Sequence, residues 1–492
     1  MSALPAEQRL PLRTKLYYGL GASAFGIQDQ GLRAFLLLYY SQVIGLNAAI
    51  VATVLLISTL VDAFIDPMIG QWSDNFRSKW GRRHPFMFAA AVPSALLFAA
   101  MWFPPENFTE SGKVAWLAVT TITLRAVISF YEIPNIAQAP ELTSDYDERT
   151  SLLSFRFAFF FLTGAALTLL TYLVLLKPSP DYPVGQLNPT GYERYAIVAS
   201  SVMLVAMLVS AWGTRGSLKD SSNAVRQHAS LGRLLREMAQ TFSNRPFLYV
   251  TGAGVLKSMG LGASGALALY LNTYYWGLSA QQISILVIDG TLAAIIASSI
   301  SRPVSQRWGK KWTAITFYFM SYVIAVIPVG LRYLGLFVDN GSPMLVPILF
   351  VVGLVFGTLG IGATITTSSM ISDVVENNQL KTGRRAEGLI FSASSLVNKA
   401  ISGLGTLAAG LIIAAIDFPK GSDPTLVPPE KVAALAVYVP VVGVFYILGT
   451  WLLLRYPIDK AMHESTLAEL RRREKEGAEL AKENAESGQL AS

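Results

Sequence analysis

The chain has no cysteine and only three histidines in 492 residues, and that scarcity removes several functions at once. Without a thiol there is no disulfide framework, no thiolate metal site and no cysteine nucleophile. The histidines, His84, His228 and His463, are scattered through polar segments, so a zinc site is not expected. Charge is scarce as well: Asp, Glu, Lys and Arg make up 14% of the chain, against roughly 25% in an ordinary soluble protein. The sequence carries no Walker loop, no nucleophile elbow and no metal-ligand cluster, which leaves ATP-driven and hydrolytic chemistry without residues. The chain is therefore not read as an enzyme, and no cofactor is expected. Its first fifteen residues, MSALPAEQRLPLRTK, lack an apolar h-region, so no cleavable signal is expected either.

What the chain has is apolar length. Hydrophobic residues make up 52% of it and mean hydropathy is +0.44. Apolar stretches long enough to cross a bilayer recur from end to end between short polar loops. Twelve spans are predicted, near residues 16–43, 49–71, 85–103, 114–137, 155–176, 194–212, 247–275, 281–301, 312–333, 344–371, 388–416 and 433–455. This is the pattern of an all-α polytopic membrane protein. Alternate loops are rich in Lys and Arg, and the positive-inside rule makes those loops cytoplasmic, with both termini on the same side. The slight excess of basic residues follows from this topology and does not call for a nucleic acid. The longest basic connection, residues 213–246, divides the chain into an N-terminal six-helix bundle (1–212) and a C-terminal one (247–456). A charged cytoplasmic tail follows (457–492). A monomer in a bacterial inner membrane is expected.

One span breaks the apolar rule. The run VATVLLISTLVDAFIDPMIGQW, residues 51–72, carries Asp62 and Asp66 four residues apart, on one helical face. Each ionised carboxylate near mid-membrane costs roughly 2.5 to 3.5 kcal/mol on insertion scales, so the pair marks a place where a small cation or a proton binds. Lys399 is likewise a lone ammonium within an apolar helix, and it requires a carboxylate or an anionic substrate. The two halves also echo each other. Trp80-Gly81-Arg82-Arg83 follows span two and Trp308-Gly309-Lys310-Lys311 follows span eight. Six plus six spans with repeated halves is the requirement for two bundles rocking about a central site.

The stretch DAFIDPMIGQWSDNFRSKWGRR resembles the second-span signature of the glycoside–pentoside–hexuronide:cation symporters, a branch of the major facilitator superfamily that includes melibiose permease. The resemblance extends through KLYYGLG, EIPNIAQAPELTSDYDERT and ENNQLKTGRRAEGLIFSASSLVNK, touching both halves. It implies the major facilitator fold, twelve transmembrane helices in two six-helix bundles. It also implies that Asp62 and Asp66, with Ser129 nearby, bind the coupling cation, Na+ or H+, and that Lys399 and Glu132 belong to the same network. The resemblance is incomplete where sugar is held. The span-one acid position falls at Gly26, with Asp29 one turn on, and the tryptophan one turn after the span-four acid is Ile136.

Asp29, Arg33, Arg125 and Tyr131 are the candidate substrate contacts, although Asp29 and Arg33 are equally spaced to neutralise each other. A cavity-facing Arg33 or Arg125 would suit a carboxylated sugar, because the guanidinium fork binds carboxylates bidentately. Tyr39, Tyr270, Tyr274 and Trp276 are either stacking surfaces or membrane-interface anchors. Asp74, Arg82, Arg83, Glu141 and Arg149 are the candidate cytoplasmic gate. The expected function is secondary active symport of a glycoside or uronide-type sugar with a cation by alternating access. Two alternatives stay open: a cation-coupled lysophospholipid transporter, and a non-transporting membrane sensor of the same fold.

Overall fold

The computed structural model describes residues 10–466 apart from 144, 216–244, 383–386, 422–423 and 460, with a few positions further on. Twelve helical spans cross the molecule in alternating directions. The first, α1, covers residues 12–43 and ends in two π-type turns, Leu32–Leu36 and Tyr39–Val43. It is followed by α2 (Ala48–Asn75), α3 (His84–Met101), α4 (Glu110–Ala137), α5 (Tyr146–Leu170, extended by a π turn at Thr171–Leu175) and α6 (Pro189–Thr214). The second set comprises α7 (Arg245–Tyr270, extended by a π turn at Leu271–Tyr275), α8 (Ala280–Trp308), α9 (Lys310–Tyr333), α10 (Leu345–Thr382), α11 (Glu387–Ala415) and α12 (Tyr438–Leu454). Ten helices among the described residues are long and apolar enough to cross a bilayer by length and composition. The expected linker between the halves falls mostly on residues outside those described.

Several helices start ahead of the apolar run that announced them, because a polar residue caps the first turn. The Asn47 side chain accepts from the Ala49 and Ile50 amides, Thr109 from Gly112, Asp145 from Glu148, and Asn188 from Thr190. Ser279 and Gln282 form a reciprocal capping box at the start of α8. Each cap satisfies amides that would otherwise be unbonded at the helix start. The outer faces carry large apolar side chains in the open, among them Phe64, Leu96, Val205 and Trp212. On a chain of twelve spans this is the lipid surface.

The helices form two six-helix bundles, α1–α6 and α7–α12. Residues 10 and 466 lie at one end of the molecule, here the terminal end; the other is the distal end. The bundles meet chiefly where α2 runs antiparallel to α11, with further contacts of α1 with α7 and α5 with α8. A Cβ on Gly410 would lie 2.3 Å from the Ala52 Cβ and 2.6 Å from the Ala48 carbonyl oxygen, so glycine is what lets α11 approach α2 this closely. The distal end is tied shut across the bundles. Tyr270 bonds Ser41 and accepts from Gln42 Nε2 at 3.2 Å, Tyr274 Oη donates to Gln42 Oε1 at 3.1 Å, and Gln186 Nε2 donates to the Leu278 carbonyl at 2.8 Å. One apolar cluster crosses the bundle boundary, and it includes the distal residues of both halves. Two others each stay within a single bundle, one around Tyr18 and Leu142 and the other around Phe247, Tyr318 and Val374. Their core residues lie toward the terminal end.

Candidate functional site

The centre of the first bundle is built on α2 and α4. Asp62 and Asp66 lie on one face of α2, as their spacing predicts, and Ser129 of α4 reaches both. Its Oγ stands 3.0 Å from Asp62 Oδ1, 2.7 Å from Asp66 Oδ1 and 3.0 Å from the Arg125 carbonyl oxygen. One turn earlier on α4, Arg125 Nη1 donates to Asp62 Oδ2 at 3.2 Å. Asp62 is 3% exposed and Ser129 2%, so these groups have little water to fall back on. A hydroxyl has one proton to donate. Ser129 cannot bond both carboxylates with it at once.

Arg125 thus sits at the acidic pair, neutralising part of its charge; its buried Nε has no hydrogen-bond partner among the described residues. Glu132, two turns on along α4, accepts from Arg156 Nη2 of α5 at 3.0 Å, and the other Arg156 nitrogen bonds Asn135 Oδ1. Sequence reasoning missed Arg156 and Asn135. The visible signal was a lone arginine in the apolar first half of span five, opposite the span-four acid. Tyr131 is 1% exposed, and its hydroxyl donates to the Met207 carbonyl of α6 at 3.2 Å. Asp29 and Arg33 bond each other at 2.8 Å, with the arginine side chain 54% exposed. Ile136 is exposed.

Lys399 lies on α11, and its side chain is outside the described residues. The backbone register is informative nonetheless. Gly410 faces Ala48 and Ala52, and Gly403 faces Leu56 and Thr59. Continuing the antiparallel register by one turn of each helix brings position 399 level with Asp62.

The candidate gate residues cluster at the terminal end, within the first bundle. Arg83 pairs with Asp74 and bonds Glu141 Oε1 at 3.0 Å and Ser73 Oγ at 2.8 Å, while Arg82 Nη2 lies 2.7 Å from Glu141 Oε1. These contacts join the end of α2 to the α4–α5 connection and do not cross to the second bundle. Arg149 has no ion pair with them among the described residues, and its buried Nε has no hydrogen-bond partner. The aromatic candidates are neither stacking surfaces nor anchors in this state. Tyr39, Tyr270, Tyr274 and Trp276 are all buried in the distal closure, with Tyr39 Oη donating to the Trp102 carbonyl at 2.8 Å.

The second bundle holds two charges that the sequence reading passed over. Lys257 of α7 is 4% exposed; its ammonium donates to the Gly360 carbonyl and to Thr364 Oγ1 of α10. Asp289 of α8 lies against Gly353 of α10. Positions 353, 360 and 364 share a helical face, so α10 presents one stripe to both groups.

The geometry is that of a rocking-bundle carrier with a charged centre, and the comparisons agree. The family model described as MFS/sugar transport protein matches residues 17–460. An uncharacterized symporter of Synechocystis is 27% identical over 96% of this chain and 99% of its own length. The isoprimeverose transporter of Lactiplantibacillus pentosus is 26% identical over 92% and 90%. Among solved structures, the inward open conformation of the xylose transporter of Escherichia coli shares the fold. It has a TM-score of 0.61 at 12% identity and covers 92% of this chain and 98% of that one. This chain belongs to the MFS/sugar transport protein family, as a membrane transporter and not an enzyme.

Proposed function

We propose how this cation-coupled sugar symporter uses its centre. The coupling cation, Na+ or H+, binds where Asp62, Asp66 and Ser129 converge, and Arg125 holds Asp62 in position while cancelling part of its charge. The observation that carries this reading is the single Ser129 hydroxyl placed 3.0 and 2.7 Å from two carboxylate oxygens. Two carboxylates and a hydroxyl converging this closely form a set of hard oxygen ligands. Na+ and H+ are both hard acids suited to carboxylate and hydroxyl oxygen. Lys399, level with Asp62 on α11, competes for the same acids, so cation and ammonium exclude each other and each changes the affinity for the other.

The substrate is a glycoside or uronide-type sugar held between the bundles. Glu132, fixed by Arg156, is its hydroxyl acceptor, and the unbonded Nε of Arg125 is a donor for a carboxylated sugar. The relatives bearing symporter and sugar-transporter names favour a sugar over a lysophospholipid, and they favour transport over a sensor. The loop charges support both termini being cytoplasmic, and we take the protein to work as a monomer in the inner membrane. With the distal end outermost, the conformation described is closed to the outside. Cation and sugar enter from the opposite state, and the bundles rock about the α2–α11 seam to release both ligands inside. Asp74, Arg82, Arg83 and Glu141 brace the cytoplasmic end of the first bundle so that it moves as one body.

The test is uptake of labelled glycosides and uronides into membrane vesicles under imposed Na+ or pH gradients. Asp66→Asn is expected to abolish accumulation against a gradient while leaving the protein inserted and downhill exchange measurable. If this variant still concentrates sugar, the cation site lies elsewhere.

A further inference from the structure

At the terminal end of the second bundle, the chain folds back after α12 onto α9 and α10. Tyr456 is 1% exposed and donates through Oη to the Met370 carbonyl at 3.2 Å, while Lys311 Nζ of α9 donates to the Tyr456 carbonyl at 2.7 Å. Asp459 then caps a short helical turn at residues 461–466, its side chain accepting from the Met462 amide at 2.8 Å and its carbonyl from the His463 amide at 3.0 Å. Thr466, on the next turn, is 5% exposed. The segment is fixed at several points, and His463 is delivered to the side of α10 where Asp373 and Glu376 stand.

Among the described residues, Asp373, Glu376 and His463 bring three ligand atoms within 4.8 Å of one another. The His463 Nδ1 is 3.5 Å from Asp373 Oδ1 and 3.4 Å from Glu376 Oε2. These separations do not make hydrogen bonds: among the described residues, both His463 Nδ1 and Glu376 Oε2 are buried atoms without a hydrogen-bond partner. They do match another geometry. In a tetrahedral site with bonds of about 2.1 Å, ligand atoms stand about 3.4 Å apart. Asn377, 3% exposed and one turn on from Asp373 along α10, also has a buried Oδ1 without a hydrogen-bond partner among the described residues. Buried polar atoms left unbonded are costly, and one ion would satisfy several of them together.

We propose that Asp373, Glu376 and His463 form a binding site for a first-row divalent cation of the Zn2+ type. One imidazole nitrogen and two carboxylates are ligands such ions accept, and three protein ligands leave the fourth position for water or Asn377. The site is separate from the acidic pair of the first bundle. It lies on α10 and the post-α12 segment, and the ion would clasp that segment to the bundle. The sequence argued against zinc because its histidines are scattered. A single histidine suffices here, because the fold carries it across some ninety positions of sequence to a pair of acids. Lys310 is the built-in competitor. Its ammonium lies 2.5 Å from Asp373 Oδ1, with the side chain 31% exposed, so it can swing aside when the ion takes that oxygen.

The experiment is Zn2+ titration of the tag-free, full-length protein in detergent against a chromophoric chelator, repeated with Co2+ for its visible absorption. The expected result is one Zn2+ per chain and a tetrahedral Co2+ spectrum. His463→Ala, His463→Gln and Glu376→Gln should each weaken binding by at least about tenfold. Lys310→Gln should tighten it. His84, the other described histidine, is 1% exposed and its ring lies 3.2 Å from Thr214 Oγ1 in the first bundle, so it contributes no competing surface site. Absence of stoichiometric binding to the wild-type chain would overturn the proposal. So would binding that His463→Ala and His463→Gln leave unchanged, or binding that Lys310→Gln fails to tighten.

Discussion

The two bundles share a plan but handle buried charge with different residues. In the first, arginine meets most of the ion-paired acids: Asp62 by Arg125, Glu132 by Arg156, Asp29 by Arg33, and Asp74 and Glu141 by Arg83, while Glu148 pairs with Lys15. In the second, lysines take the corresponding places on α7 and at the start of α9. Lys310 meets Asp373, Lys311 a backbone carbonyl, and Lys257 a carbonyl and a hydroxyl. A guanidinium is a rigid fork that holds a carboxylate in a fixed plane. An ammonium is a point charge on a flexible stem that rotates and lets go. The first bundle is thus a frame that positions its carboxylates, and the second offers cations that can be exchanged.

The sharpest break of this contrast is to remove one cation from each centre. Arg125→Gln leaves Asp62 buried with its guanidinium gone, and the expected loss is about 3 kcal/mol, read as a fall in melting temperature in detergent with symport abolished. Adding Asp62→Asn should recover most of the stability without the symport. Lys257→Met removes an ammonium whose described partners are neutral, so its effect on melting should stay within about 1 kcal/mol. Equal losses at the two positions would erase the distinction. Exchange at the gate positions is a milder probe. Arg83→Lys gives up one or more of the contacts to Asp74, Glu141 and Ser73, about 1.5 kcal/mol, while Lys310→Arg at the partly exposed counterpart should cost less than about 0.5 kcal/mol.

Where the halves are alike, substitutions should be alike. Gly81 and Gly309, each ahead of its pair of basic residues, have φ of 82° and 78°. Alanine at either is expected to lose about 1 kcal/mol, and unequal losses would show that the repeat does not hold at this turn.

Much of this was legible in the chain. Span length and loop charge gave twelve helices and two bundles, because a bilayer imposes both. The face shared by Asp62 and Asp66 followed from helical spacing, and Ser129 lies where the resemblance implied. The partner of Arg125 was not legible: an arginine on α4 can face lipid, cavity or α2, and only interhelical packing decides. Lys257 and Asp289 are single charges without a spacing partner, so no periodicity flags them. The aromatic residues near the span ends have the composition of interface anchors and were expected there or on sugar; the distal closure buries them instead. A repeat that could have been read was overlooked. Gly45-Leu46-Asn47-Ala48 and Gly277-Leu278-Ser279-Ala280 occupy matching turns, each with a glycine at positive φ and a capping Asn or Ser.

The hydrogen bond between Tyr274 and Gln42 joins residues 232 apart, which is the spacing that separates those matching turns. The two side chains therefore occupy equivalent positions of the repeat and meet across the axis that relates the halves. In a pair of identical chains, a residue on such an axis faces its own copy and must be complementary to itself. Joining both halves in one polypeptide lifts that restriction. One copy of the position can be an amide and the other a phenol, so the distal closure is asymmetric by one donor. That single inequality gives the two bundles different partners to lose whenever the closure opens.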